Sequence, residues 1–128
     1  MTTVLIADDE QNMARLVQML MEREGYRVLV AHDGGEAMAL MEAETPGIVL
    51  LDVAMPVMDG YEVLRRMKAD ERLRAVPVVM LSARKQDADL MHGIEAGASS
   101  YVTKPFNPQE IMAICRDLLG ATGDSGAR

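Results

Sequence analysis

The sequence predicts an α/β fold, a doubly wound five-stranded parallel sheet built from successive β-α units. Three observations lead there. Five short apolar runs, at residues 4–7, 28–31, 48–51, 78–81 and 101–103, recur along the 128 residues. Most are continuously apolar rather than alternating, the pattern of strands covered on both faces. Amphipathic stretches separate them, and no repeat of the solenoid kind appears.

Each helical stretch has its own signal. The first carries Met13, Leu16, Val17 and Leu20 at i, i+3, i+4 and i+7 and stops at Gly25. The second spans roughly residues 35–43 and is closed by Pro46-Gly47. The third spans roughly 61–69, with Val63, Leu64 and Met67 inward. The fourth, roughly 86–96, has the weakest stripe (Leu90, Met91 and Ile94) and is expected to be the most mobile. The fifth spans roughly 108–119, with Ile111, Ile114, Cys115 and Leu118 on one face. Residues 1–120 therefore read as one domain, and residues 121–128, small and polar, as a flexible tail or the start of a linker.

Composition bounds the function. About two-thirds of the unfolded surface can be buried at this length, enough for a core. No apolar run approaches the roughly 20 residues that span a bilayer, and Met1-Thr2-Thr3 runs straight into a strand without a basic leader. The single cysteine, Cys115, excludes an internal disulfide and fits a reducing cytoplasm. A net charge of −7 disfavours direct contact with nucleic acid or anionic membranes. The twelve methionines fall mostly on helical stripes and read as flexible core filling.

The chemistry gathers at strand ends. Asp8 and Asp9 follow the first run, Asp52 the third, Ser82 the fourth, and Lys104 the fifth. In parallel strands these ends share one edge, where open α/β sheets bind ligands. Like charges there raise each other's pKa, so several acids beside one lysine serve a fold poorly. They serve a hard cation well. Mg²⁺ takes oxygen ligands and keeps several waters, while a carboxylate such as Asp52 can act as a nucleophile and form an aspartyl phosphate. Helix capping accounts for one of Asp8 and Asp9 but not for both. Taken alone, Ser82 reads as a cap or turn serine. Lys104 precedes Pro105, which favours extended geometry and leaves the isomer of the bond open. Asp59-Gly60 is a turn signal without assigned chemistry. His32 and His92 lack metal-ligand spacing, which excludes zinc.

The chain resembles the receiver domains of two-component response regulators, the family that includes the single-domain chemotaxis regulator. The resemblance is carried by residues 4–10, 50–60, 81–83, 97–98 and 101–106, in order and at consistent spacing. It implies a flavodoxin-like strand order 2-1-3-4-5 and a module that accepts a phosphoryl group rather than an enzyme acting on a separate substrate. It implies that Asp52 is the phosphoacceptor and that Asp8, Asp9, Asp52 and the backbone carbonyl of Ala54 hold Mg²⁺. Lys104 would contact the phosphoryl group, Ser82 would move to bond it, and Tyr101 would follow inward as the aromatic partner of the switch. The implied partners are a sensor histidine kinase or a histidine phosphotransfer protein. The downstream effector is undefined, and the output surface is the fourth helix, fifth strand and fifth helix, as a monomer or a weak homodimer. Arg84, two residues past Ser82, is expected to tune the lifetime of the phosphoryl group.

Other functions compete on the same fold. A flavin-mononucleotide carrier needs a Ser/Thr/Gly-rich phosphate loop after the first strand, where this chain has Asp8-Asp9-Glu10. A Mg²⁺-dependent aspartyl-phosphate phosphatase needs a second acid two residues beyond its nucleophile, where Ala54 follows Asp52. A receiver that signals without phosphate would not need Asp8, Asp9, Asp52, Ser82 and Lys104 together.

Overall fold

Burial on both faces makes the apolar runs into strands. The computed structural model describes residues 2–82 and 97–121. It places β1 (Thr3–Ala7), β2 (Arg27–Ala31), β3 (Ile48–Asp52), β4 (Val78–Ser82) and β5 (Ser100–Thr103) in one sheet, all parallel, in the order β2-β1-β3-β4-β5. The expected architecture and strand order are both observed. Helices α1 (Gln11–Arg23), α2 (Gly34–Ala43) and α3 (Gly60–Lys68) and a C-terminal helix (Pro108–Ala121) cover the sheet. The fourth predicted helix, with Arg84 and His92, and residues 122–128 lie outside the described residues. Among the described residues no helix is long and apolar enough to cross a membrane.

Alternation along the strands sorts the core into two layers. Val4, Ile6, Leu50, Val79, Leu81 and Val102 pack against α1 and the C-terminal helix. Leu5, Val49, Leu51 and Met80 pack against α2 and α3. Two stripes differ from expectation. In α1 the buried residues are Ala14, Val17 and Met21, while Leu16 is exposed. The helix turns its small residue inward, which a count of large apolar side chains does not detect. The C-terminal helix buries Ile111, Met112, Cys115 and Leu119, with Ile114 and Leu118 only partly buried at the seam with α1. Burial pushes the Cys115 thiol up to about 12, so it is an inert core residue.

Helix ends are fastened locally. At the end of α1 the Gly25 N–H donates to the Glu22 carbonyl at 3.0 Å and the Tyr26 N–H to the Met21 carbonyl at 3.2 Å. This is a Schellman motif, and Gly25 takes the left-handed φ of 95° it requires. Asp33 caps α2 by accepting from the Glu36 N–H at 2.7 Å, and Asp59 caps α3 by accepting from the Glu62 N–H at 2.9 Å.

Two glycines fasten the loop between β3 and α3. A β-carbon on Gly34 would overlap the Met58 backbone carbonyl, and one on Gly60 would overlap the Asp52 carbonyl. Backbone cannot swing aside as a side chain can. Gly34→Ala and Gly60→Ala are each expected to lower the unfolding free energy by about 1–3 kcal/mol. Gly120→Ala, in open space on the C-terminal helix, is expected to be neutral or stabilising by up to about 1 kcal/mol. Urea unfolding of the three variants checks this; equal small effects would contradict the packing described.

Candidate functional site

Strand ends place the site, and the ladder hydrogen bonds run right up to it. The Asp8 N–H donates to the Ala31 carbonyl at 3.1 Å, and the Val53 N–H to the Leu81 carbonyl at 2.8 Å. The Lys104 N–H donates to the Ser82 carbonyl at 2.6 Å. Asp52 and Ser82 are therefore the last residues of β3 and β4, one position further along each strand than the apolar runs indicate. The backbones of Asp8, Asp52, Ser82 and Lys104 are held by the sheet, so their side chains meet at its carboxyl edge in defined positions.

Asp8 is 1% exposed, Asp52 5% and Ser82 3%, while Asp9 is exposed. Oxygens of Asp8, Asp9 and Asp52 all lie within 4.8 Å of one another. Lys104 Nζ donates to Asp8 Oδ2 at 2.9 Å and lies 3.5 Å from both Glu10 Oε1 and Asp52 Oδ2. The other Asp8 oxygen, Oδ1, accepts from the Glu10 N–H at 2.9 Å. Glu10 itself is the N-cap residue of α1, and its side chain makes no cap bond. Capping thus accounts for neither Asp9 nor the convergence of the acids on Asp52. The Lys104–Pro105 bond is cis.

An open cleft of about 900 Å³ lies over this edge, lined by Asp9, Asp52, Ala54, Ser82 and Lys104 among others. Glu10, Asp59 and Tyr61 line it as well. Reading Asp59-Gly60 as a plain turn missed this placement of Asp59, which caps α3 and faces the cleft at once. Tyr61, one residue into the helix after Gly60, was missed entirely and carries no separate sequence signal. Tyr101 stands apart from the charged cluster. It packs on the α2–α3 side of the sheet, and among the described residues its buried hydroxyl has no hydrogen-bond partner.

The electrostatics follow from burial and crowding. The Asp52 carboxyl is pushed up to about 7, first by burial and then by the neighbouring Asp8 charge, with Asp9 adding to it and Lys104 opposing it. Lys104 is desolvated too, which works against its charge, but its hydrogen bond to Asp8 and the charges of Asp8, Asp52 and Glu10 outweigh that and hold it above its ordinary value. The two shifts are compatible, because one ammonium shared among several carboxylates stays charged and leaves Asp52 undercompensated. The donors are all hard oxygens with a surplus of negative charge, a set that fits Mg²⁺ and not a soft metal.

An acid-rich cleft at the carboxyl edge of a 2-1-3-4-5 sheet sets this chain among doubly wound proteins that offer carboxylates, rather than a phosphate-cradling loop, to their ligand. Comparison with known proteins narrows the class. The family model of the response regulator receiver domain matches residues 4–116, and the chain belongs to that family, a class of signalling domain. It is 39% identical over 116 residues to the alkaline phosphatase synthesis transcriptional regulatory protein PhoP of Bacillus subtilis, a match covering 91% of this chain and 48% of that protein. The chain spans about half the length of the curated relatives it matches. Among solved structures, the Francisella response regulator 1452 receiver domain superimposes with a TM-score of 0.89 at 30% identity, over 95% of this chain and 99% of that one. The receiver domain of sensor histidine kinase PA1611 from Pseudomonas aeruginosa, solved with a magnesium ion coordinated in its active-site cleft, gives a TM-score of 0.85 at 29% identity over 93% of this chain and 98% of that one.

The raised Asp52 pKa makes a pH prediction for the metal-free protein. A carboxyl with a higher pKa folded than unfolded binds its proton more tightly in the fold. Its contribution is therefore fully present below the unfolded pKa of about 3.9 and is lost as pH rises to about 7. In EDTA, Asp52→Asn is expected to raise the unfolding free energy at pH 8 by on the order of 2 kcal/mol, and by less at pH 5. Denaturant unfolding at both pH values measures it, and a gain that is absent or larger at pH 5 would contradict the charge crowding.

Proposed function

We propose that this chain is the phosphorylation-driven switch of a two-component pathway, with Asp52 as its phosphoacceptor. One observation carries the reading: a carboxylate held nearly buried at the end of β3, with a lysine ammonium 3.5 Å away and oxygens of Asp8 and Asp9 within 4.8 Å. A structural ion pair needs one acid for one lysine. This arrangement leaves a carboxylate available to react and oxygens available for a cation.

In the proposed reaction an Asp52 oxygen attacks the phosphorus of a phosphohistidine. The O–P bond forms as the P–N bond breaks, and the imidazole leaves with the electron pair. Lys104 supplies a fixed positive charge to the phosphoryl oxygens. The Ser82 hydroxyl, at the end of the adjacent strand, donates to one of them. Asp8, Asp9, Asp52 and the Ala54 carbonyl would hold Mg²⁺, which when bound neutralises charge on the transferring group. The magnesium-bound cleft of the PA1611 receiver domain supports that assignment. The chain acts on itself alone, by accepting the group and later losing it to water.

Phosphorylation adds about −1.5 to −2 charge at the sheet edge. The added oxygens favour whichever conformation brings Ser82 and Lys104 onto them, so the response is a shift between populations. Tyr101, half-buried on β5 with its hydroxyl unpartnered among the described residues, is the side chain proposed to move inward with Ser82. The output surface would be β5, the C-terminal helix and the segment between β4 and β5. The donor would be a sensor histidine kinase or a histidine phosphotransfer protein in the cytoplasm. Several curated relatives are transcriptional regulatory proteins by name and about twice as long. This supports a DNA-binding effector joined beyond a linker that starts near residue 121, with no nucleic-acid contact by the receiver itself.

Intact-mass spectrometry after incubation with a small phosphodonor tests the reading. One added phosphoryl group is expected with Mg²⁺, none with EDTA, and none in Asp52→Asn under either condition. Modification of the variant to the same extent would move the phosphoacceptor elsewhere. No modification by any donor or by a phosphohistidine protein, with Mg²⁺ bound, would favour a receiver that signals without phosphate.

A further inference from the structure

The loop between β3 and α3 contains a strained residue that the proposed chemistry does not use. Val57 has φ of 70°, the left-handed region, where a β-branched side chain is a genuine outlier. The Met58 N–H donates to the Pro56 carbonyl at 2.7 Å across it. A bond from residue i+2 back to residue i with positive φ at the centre is the rarer, strained form of γ-turn. Packing does not compensate the strain, because Val57 is 81% exposed. The surroundings impose it instead. On one side the Met58 carbonyl is pressed against Gly34 at the start of α2. On the other the Gly60 N–H donates to the Val53 carbonyl at 2.8 Å and closes the loop on itself. Ala54, Met55 and Pro56, between that closure and the turn, line the cleft.

We infer that Val57 is a positioning residue, which sets how readily the β3–α3 loop takes the shape that offers the Ala54 carbonyl to a divalent cation, and thereby lowers the affinity of the site. The inference rests on the proposed Mg²⁺ role of Ala54. A loop closed between Val53 and Gly60, with residues 54–59 inside it, cannot change its γ-turn without moving the other residues it carries. If the turn opens to a negative φ at Val57, the Met58 carbonyl leaves Gly34 and the Ala54–Pro56 span shifts. The valine favours that opening because the left-handed conformation is costly for it. Apparent affinity falls in proportion to the population of loops that are competent to bind. A residue at ease with positive φ removes the penalty, and glycine does so more fully than asparagine.

The test compares the full chain with Val57→Gly, Val57→Asn and Val57→Ile. Magnesium chloride is titrated calorimetrically into each, and hydrogen exchange of the Gly60 amide is followed in EDTA. Val57→Gly is expected to tighten Mg²⁺ binding about three- to tenfold, Val57→Asn by less, and Val57→Ile to leave it within about twofold. The Gly60 amide is expected to exchange more slowly in Val57→Gly than in the unsubstituted chain, without any metal. An unchanged or weakened affinity in Val57→Gly, with normal binding by the unsubstituted chain, overturns the inference and leaves the functional reading standing. Absence of Mg²⁺ binding by the unsubstituted chain overturns both. Unchanged Gly60 exchange alongside a changed affinity would also overturn it, because the loop equilibrium would not be the cause.

Discussion

One ammonium among too many carboxylates is the constraint on which this structure turns. Lys104 reaches Asp8 at 2.9 Å and Glu10 and Asp52 at 3.5 Å, and it cannot neutralise all of them. Buried ion pairs add little to stability even when complete, because desolvation offsets most of their attraction. Here the pair is incomplete by design of the sheet: β1 and β3 are neighbours, so the acids that end them must meet. The protein tolerates the crowding because the ladder carries the backbones up to the edge and two apolar layers hold the ladder.

The same layers explain why the edge is precise in position yet open in chemistry. Strands β1, β3 and β4 are buried along their whole length, so none can slip in register without exposing its core. The loops beyond them are fastened by small contacts. Asp33 and Asp59 cap helices, and Gly34 and Gly60 admit backbone carbonyls where no side chain would fit. The rigid edge fixes Asp52 and Lys104, while the loop carrying Ala54 is closed but strained at Val57. Rigid elements thus hold the groups proposed to react, and a strained loop holds the Ala54 carbonyl proposed to reach a cation.

Much of this was legible in the residues. The parallel sheet announced itself through apolar runs without alternation, because both faces are covered. The carboxyl-edge cluster could be read because each run ends in a residue that a buried strand would otherwise avoid: Asp8, Asp52, Ser82 and then Lys104. Other features were not legible, for physical reasons. The inward face of α1 was only partly legible: Val17 is buried and Met13 and Leu20 pack on the core, but Leu16 is exposed and Ala14, a residue with little hydrophobic signal, is buried. Tyr61 faces the cleft only because Gly60 lets α3 start beneath Asp52. The left-handed Val57 contradicts the local preference of a β-branched side chain, so only the surrounding contacts could reveal it. The cis bond at Lys104–Pro105 depends on tertiary context in the same way.

The central claim is that the edge holds an excess of negative charge that a hard dication relieves. The most direct measurement is the titration of the Asp52 side-chain carboxyl by carbon-13 NMR, first in EDTA and then with saturating Mg²⁺. The account predicts a midpoint near 7 without metal, and with metal a fall to below about 4, beneath the ordinary aspartate range. An ordinary midpoint near 4 in EDTA, unmoved by Mg²⁺, would contradict it.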